Sequence, residues 1–118
     1  MLVIRDSQLR AFKAAADSRF VAKAIPYLQE DFPEELAEMG AEGAHSFALY
    51  GLHRSACYGI TTEANVLAYL QVAVLLGRDF DVDDDLPWAA MILGDSSRAD
   101  EDLKIELLLQ AVSDHFAE

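Results

Sequence analysis

The stretch from Tyr58 to Ala89 constrains the fold most, because it contains an almost wholly apolar helix with no charged residue between Glu63 and Arg78. Gly59 precedes this helix and Gly77 follows it, and glycine commonly ends a helix in a left-handed backbone conformation. A helix that is apolar nearly all round belongs at the centre of a helical protein. Burying one leucine-sized side chain is worth roughly 1.5–3 kcal/mol, so we expect this helix to contribute more stability than any surface ion pair.

Apolar residues recur at helical spacing elsewhere in the chain, and no alternating β pattern of any length is present. The helical stripes are Leu9, Phe12, Lys13 (through its apolar stem), Ala16 and Phe20; Val21, Ala24, Ile25, Leu28 and Phe32; Ala44, Phe47, Ala48, Gly51, Ser55 and Tyr58; and Ile105, Leu108, Leu109, Val112 and Phe116. Small residues in the third stripe would let another helix approach closely. With 118 residues, enough for one modest core, the chain is predicted to be all-α: a single-domain compact bundle of five or six helices over residues 1–118.

Proline and glycine predict where these helices begin and end. Pro26 should kink its helix or begin a new one, and Pro33 suits the first turn of a short helix that Gly40 ends. Pro87 likewise suits the start of a short helix that ends at Gly94.

The last helix and the central helix carry capping signals. Ser97 followed by Asp100 resembles a capping box with the shorter acid, and Glu101 and Asp102 suit the positive end of a helix. Thr61 or Thr62 is expected to cap the central helix.

The charge is strongly negative, at −12, and it is unevenly distributed. Residues 1–23 hold five of the nine Lys and Arg residues but only two of the 21 acids. Such a balance repels phosphate backbones and anionic lipid, and it speeds encounter with a basic protein surface. We therefore expect a protein partner, with neither nucleic acid nor membrane as a partner. In the alternative interpretation, the acids only keep a small apolar domain soluble.

Localisation is expected to be cytoplasmic. No apolar run reaches the roughly 18–20 residues of a membrane span, and the N-terminus lacks the features of a signal peptide. The single cysteine, Cys57, cannot form an intramolecular disulfide, which agrees with a reducing compartment.

A run of five aspartates suggests calcium binding at first sight: Asp79, Asp81, Asp83, Asp84 and Asp85. The spacing fails, because neither possible start places glycine at the turn or glutamate at the closing position of a calcium loop. The favoured interpretation is that Asp79 or Asp81 accepts from loop amides or pairs with Arg78. Asp83, Asp84 and Asp85 then form a solvated acidic face.

His53 and Cys57 are four residues apart, as zinc ligands or a thiol and its base would be on one helix face. Two ligands do not make a metal site, and a small buried thiol is the ordinary interpretation of Cys57. We predict no catalytic, metal-binding or cofactor-binding residues, and no enzymatic activity.

Trp88 follows the acidic run and has two possible roles. It could fill the core, which is the favoured interpretation, or it could anchor an interface, because aromatic residues dominate both kinds of packing. Together with Asp83, Asp84 and Asp85 it forms the predicted partner-binding set.

Several short motifs resemble, in order, those of a family of small helical bacterial proteins associated with type VI secretion spike and effector gene clusters. These motifs are Met1-Leu2-Val3-Ile4-Arg5, Phe32-Pro33-Glu34, Tyr50-Gly51, Tyr58-Gly59-Ile60-Thr61, Gly77-Arg78-Asp79-Phe80-Asp81 and Leu86-Pro87-Trp88-Ala89. The resemblance spans residues 1–94 and implies a cytoplasmic accessory, a chaperone or adaptor, for a secreted effector or spike protein. The alternative function is an immunity protein that neutralises a basic toxin through an acidic surface.

Overall fold

The computed structural model describes residues 6–95 and 100–117, and all regular structure in those ranges is helical. Five α-helices follow one another: α1 (Asp6–Asp31), α2 (Pro33–Cys57), α3 (Glu63–Leu76), α4 (Pro87–Leu93) and α5 (Glu101–Phe116). A 3-10 turn, Phe80–Val82, lies between α3 and α4 in the chain. The predicted all-α class is confirmed.

The chain divides into two compact units, Met1–Leu49 and Tyr50–Glu118, with the boundary inside α2. We call them the N-terminal unit and the C-terminal unit. The expectation of one domain over residues 1–118 stays a prediction.

In the N-terminal unit, the second half of α1 and the first part of α2 bury apolar side chains. The buried residues are Val21, Ala24, Leu28, Leu36, Ala44, Phe47 and Ala48. Those on α1 belong to the stripe expected from the sequence, so helical periodicity identified the buried face.

The two breaks predicted in this unit have different outcomes. Pro26 lies inside α1, so of the two alternatives predicted there the new helix start is wrong, and the kink stays a prediction. Proline removes a single backbone donor, and the buried residues on both sides of it hold the helix together. Gly40 has φ 73° and ψ 171°, which interrupts α2 where the sequence predicted a stop. Glycine adopts this positive φ without a steric penalty.

In the C-terminal unit, α3 is the most apolar element and buries five side chains, as predicted: Val66, Tyr69, Leu70, Val72 and Ala73. Helix α5 contacts both α3 and α4, and α4 also contacts the 3-10 turn. Leu93, Ile105 and Leu108 complete this core from α4 and α5.

Gly51 lets α2 and α3 approach closely, as the small residues of α2 predicted. A Cβ atom built at Gly51 would overlap Cδ2 of Leu70, whose side chain is fully buried. Any larger residue at position 51 must therefore push Leu70 aside.

Most helix ends lie where the sequence placed them. Gly59 and Gly77 have positive φ values of 78° and 111°. Thr62 occupies the N-cap position of α3, but its side chain makes no capping hydrogen bond there. Pro87 lies in the first turn of α4, and Gly94 follows its last residue.

The start of α5 differs from the predicted capping box. Ser97 lies outside the described residues. Asp100 is itself the N-cap residue, because its side chain accepts a hydrogen bond from the Asp102 backbone N–H at 2.9 Å. Its predicted position one turn inside the helix is therefore wrong. None of the helices in the described ranges combines the length and apolar character that a membrane-crossing segment needs.

Candidate protein-binding site

The end of α2 carries polar side chains that meet the loop after α3. Tyr50 and Arg54 lie on α2 and Tyr58 follows its last residue, at a spacing of four that places them on one side. Across from them, the loop brings Asp79 and Asp81. These five residues belong to the C-terminal unit.

Asp81 is fully buried, and its Oδ2 atom accepts hydrogen bonds from two side chains. Arg54 Nε donates at 3.0 Å, Arg54 Nη2 forms an ion pair with the same oxygen, and the Tyr58 hydroxyl donates at 2.6 Å. Burial, and then the hydrogen bond to Asp81, raises the pKa of Tyr58 to about 12. We call Arg54, Tyr58 and Asp81 the buried cluster, and it fastens the loop to α2.

Two buried polar atoms beside this cluster have no hydrogen-bond partner among the described residues: Asp81 Oδ1 and the Tyr69 hydroxyl. The Tyr69 ring packs on Phe80, with centroids 5.0 Å apart. Burial raises the pKa of Tyr69, and the charge of Asp81 adds to that effect. Such unpaired atoms each cost about 1–3 kcal/mol.

A second, exposed contact holds the start of the loop. The Tyr50 hydroxyl donates to Asp79 Oδ1, which raises the pKa of Tyr50. The Arg78 guanidinium lies 3.9 Å from the centre of the Tyr50 ring. The pairing of Arg78 with Asp79 or Asp81 expected from the sequence is therefore replaced by contacts to α2, which local spacing could not reveal.

Asp83, Asp84 and Asp85 are all exposed, and we call them the acidic loop. Asp83 Oδ1 accepts from the Asp85 backbone N–H at 2.9 Å, which closes a tight local turn. Leu86, directly after them, is buried. The acidic loop is thus anchored on one side by Asp81 and on the other by Leu86.

Trp88 lies in the first turn of α4 and is half-buried. Its burial is therefore intermediate between that of a core residue and that of an exposed interface anchor. Its ring centroid is 5.9 Å from that of His115, which in turn contacts Phe116 edge to face. Phe116 is 57% exposed and Met91 is 74% exposed. Trp88 therefore belongs to a partly open aromatic cluster that follows the acidic loop.

A groove of about 330 Å³ between α4 and α5 extends this apolar surface. Its apolar lining comes from Met91, Ile92, Leu107 and Ala111, and Asp95 and Asp114 supply carboxylates. We call it the α4–α5 groove. It combines apolar surface with negative charge, as the acidic loop and Trp88 do.

Two charged residues of α5, Glu101 and Lys104, connect elements of the C-terminal unit; the sequence suggested for Glu101 only a place at the start of its own helix, and suggested no role for Lys104. Glu101 accepts from the Thr62 backbone N–H and from Asn65 Nδ2, both at 2.9 Å. These bonds, that of Asn65 first, lower the pKa of Glu101 to about 2. Glu101 thus caps α3 from another helix.

Lys104 is buried, and its Nζ donates to the backbone oxygens of Tyr58 and Leu93, each at 3.0 Å. Tyr58 and Leu93 lie near the ends of α2 and α4, where backbone carbonyls have no partner within the helix. The Lys104 ammonium group satisfies these carbonyls. The available signal was its spacing, since Lys104 lies four and eight residues before the buried Leu108 and Val112.

His53 and Cys57 both lie exposed on α2. The buried thiol expected at Cys57 is therefore wrong, because the apolar face of α2 points away from this position. Within residues 6–95 and 100–117, no three His, Cys, Asp or Glu side chains come together in a metal-binding arrangement.

Comparison of the chain with protein-family models, with curated proteins and with solved structures finds no match.

Proposed function

We propose that this protein is a non-enzymatic accessory of bacterial type VI secretion, a cytoplasmic chaperone or adaptor that holds an effector or spike protein. The partner class rests on the resemblance of the sequence motifs. The binding role rests on one structural observation: an exposed acidic loop built next to a partly open aromatic cluster.

The acidic loop supplies charge for recognition. Asp83, Asp84 and Asp85 concentrate three exposed carboxylates in three residues of a chain whose net charge is −12. Charges arranged in this way steer a basic partner and raise its association rate. Trp88 and the α4–α5 groove offer the apolar contact that charge alone does not supply.

The buried cluster supports this role because it holds the loop in place before a partner arrives. Arg54 and Tyr58 fix Asp81, and the tight turn at Asp83 fixes the residues that follow. A loop that is already ordered loses less conformational entropy on binding, which increases affinity.

The test is co-purification of the tagged full-length chain with the effector and spike proteins encoded by neighbouring genes, followed by association kinetics at low salt. Asp84→Lys should slow association several-fold, and added salt should reduce the difference. Glu106→Lys on α5 is the matched control, since it changes another exposed acid by the same charge. Failure to retain any of those proteins would overturn the proposal. Equal association rates for the two variants would show that the acidic loop is not part of the interface.

The strong negative charge also favours a second candidate, an immunity protein whose carboxylates mimic the anionic substrate of a basic toxin. Deletion of the gene distinguishes the two. Killing by a sister strain would support immunity, whereas loss of effector export in an otherwise healthy strain would support the chaperone.

A further inference from the structure

The N-terminal unit has an apolar groove of its own, with a volume of about 420 Å³. We call it the N-terminal groove. Apart from Gln29 and Gly40 its lining is apolar side chains from the end of α1 and the first part of α2: Ile25, Pro33, Leu36, Ala37, Ala41 and Ala44. Small-molecule sites place several polar groups around their ligand. With Gln29 alone to orient a ligand, this groove suits the side of a helix better.

The part of the chain that forms the N-terminal groove carries a strong negative charge. Residues 24–49 contain no Lys or Arg and six acids, all exposed: Glu30, Asp31, Glu34, Glu35, Glu38 and Glu42. Glu34 lies three residues before the lining residue Ala37 and four before Glu38, so these side chains neighbour one another on α2. An occupant of the groove should therefore be a helix with basic residues.

The segment Arg10–Arg19 of α1 has the opposite charge, with three bases and one acid, and its described side chains are largely uncovered. Arg10, Lys13 and Arg19 are exposed, and among the described side chains from Arg10 to Arg19 only Asp17 is partly buried. Helical segments of this length are marginal in water unless tertiary packing supports them. This segment thus has the charge and the open surface that the N-terminal groove requires.

We propose that a second copy of this chain occupies the N-terminal groove with the basic segment Arg10–Arg19 of its α1. In a two-fold dimer each copy gives a helix to its partner and receives one, so two identical contacts form. The exposed Ala11, Ala14 and Ala15 permit close approach. Arg10 and Arg19 flank this alanine face on its two sides and meet the acids beside the groove. The inference is independent of the proposed function, because it concerns only copies of this chain.

Sedimentation velocity of the purified full-length chain tests the proposal, from low micromolar to the highest soluble concentration, at low and high salt. A monomer–dimer equilibrium is expected, with a dissociation constant that rises about tenfold or more when salt screens the charges. A monomer at every concentration in low salt would overturn the proposal.

Charge reversal locates the contact. A helix variant, Arg10→Glu with Arg19→Glu, and a groove variant, Glu34→Lys with Glu38→Lys, should each weaken self-association about tenfold or more. Mixing the two variants should restore dimers. The acidic helix of the helix variant then meets the basic groove of the groove variant, and the unchanged basic helix of the groove variant meets the unchanged acidic groove of the helix variant.

The matched control is Asp84→Lys with Glu106→Lys, which reverses two exposed acids of the C-terminal unit and should leave the dimer intact. Circular dichroism verifies that each variant is folded. If the helix variant fails to fold, the groove variant and the salt dependence of the dissociation constant still test the proposed interface. A dimer unaffected by the groove variant, or a mixture that stays monomeric while both variants are folded, would contradict this interface.

Discussion

Replacing Asp81 with asparagine tests whether the buried cluster fastens the loop that carries the acidic residues. The substitution keeps the shape of the side chain and removes its charge. Arg54 then loses its ion pair, while one amide oxygen can still accept from Tyr58. Because Asp81 is fully buried, we expect the stability of the C-terminal unit to fall markedly.

The size of this loss follows from the burial of the two partners. A hydrogen bond to a charged group contributes about 1.5–3 kcal/mol, and breaking a fully buried ion pair costs about 3–5 kcal/mol. The Arg54 side chain is 32% exposed, so water can hydrate it once its partner is gone. The lower part of the range applies, and we expect Asp81→Asn to cost about 2–3 kcal/mol.

Urea unfolding followed by circular dichroism measures this loss, and the midpoint should fall by about 1–2 M. Asp79→Asn is the matched control: the same substitution two residues away, at an exposed carboxylate, with a much smaller expected loss. Arg54→Met combined with Asp81→Asn should cost less than the sum of the single variants, because the two residues interact. Equal midpoints for Asp81→Asn and Asp79→Asn would refute the role assigned to the buried cluster.

Three further substitutions test the packing and the polar contacts of the C-terminal unit. Gly51→Ala should destabilise by about 1–2 kcal/mol in the same urea assay, since overlap with Leu70 outweighs the better helix propensity of alanine, and a more stable variant would contradict the close contact. Tyr69→Phe should leave stability unchanged or raise it by about 1 kcal/mol, because it removes an unpaired buried hydroxyl, whereas a loss of that size would mean that the hydroxyl has a partner. The folded pKa of Glu101, about 2, lies below its ordinary value of 4.5, so the stability that it contributes is present above about pH 4.5 and disappears as the pH falls towards 2. The stability difference between wild type and Glu101→Gln should shrink over that interval, and a constant difference would show that ionisation of Glu101 does not matter.

Local features of the sequence predicted the helices well. They did not predict the polar contacts between residues that are far apart in the chain. The positive φ values at Gly40 and Gly77, and the buried α3, follow from properties of a few adjacent residues. The contact between Arg54 and Asp81 spans 27 residues, and its formation depends on how α3 returns the chain to α2. The burial of Lys104 depends likewise on two helix ends that meet only in the folded chain.

Burial divides the loop aspartates into two groups with different expected effects. Asp81 points inward, so its loss should lower stability and disturb binding only through the position of the loop. Asp84 is exposed to solvent, so its reversal should slow association with a basic partner and leave the urea midpoint almost unchanged. A variant series that measures both quantities therefore separates support of the surface from recognition by it. If Asp84→Lys destabilised the protein as much as Asp81→Asn did, the acidic loop would be part of the folded core, and its proposed binding role would lose its physical basis.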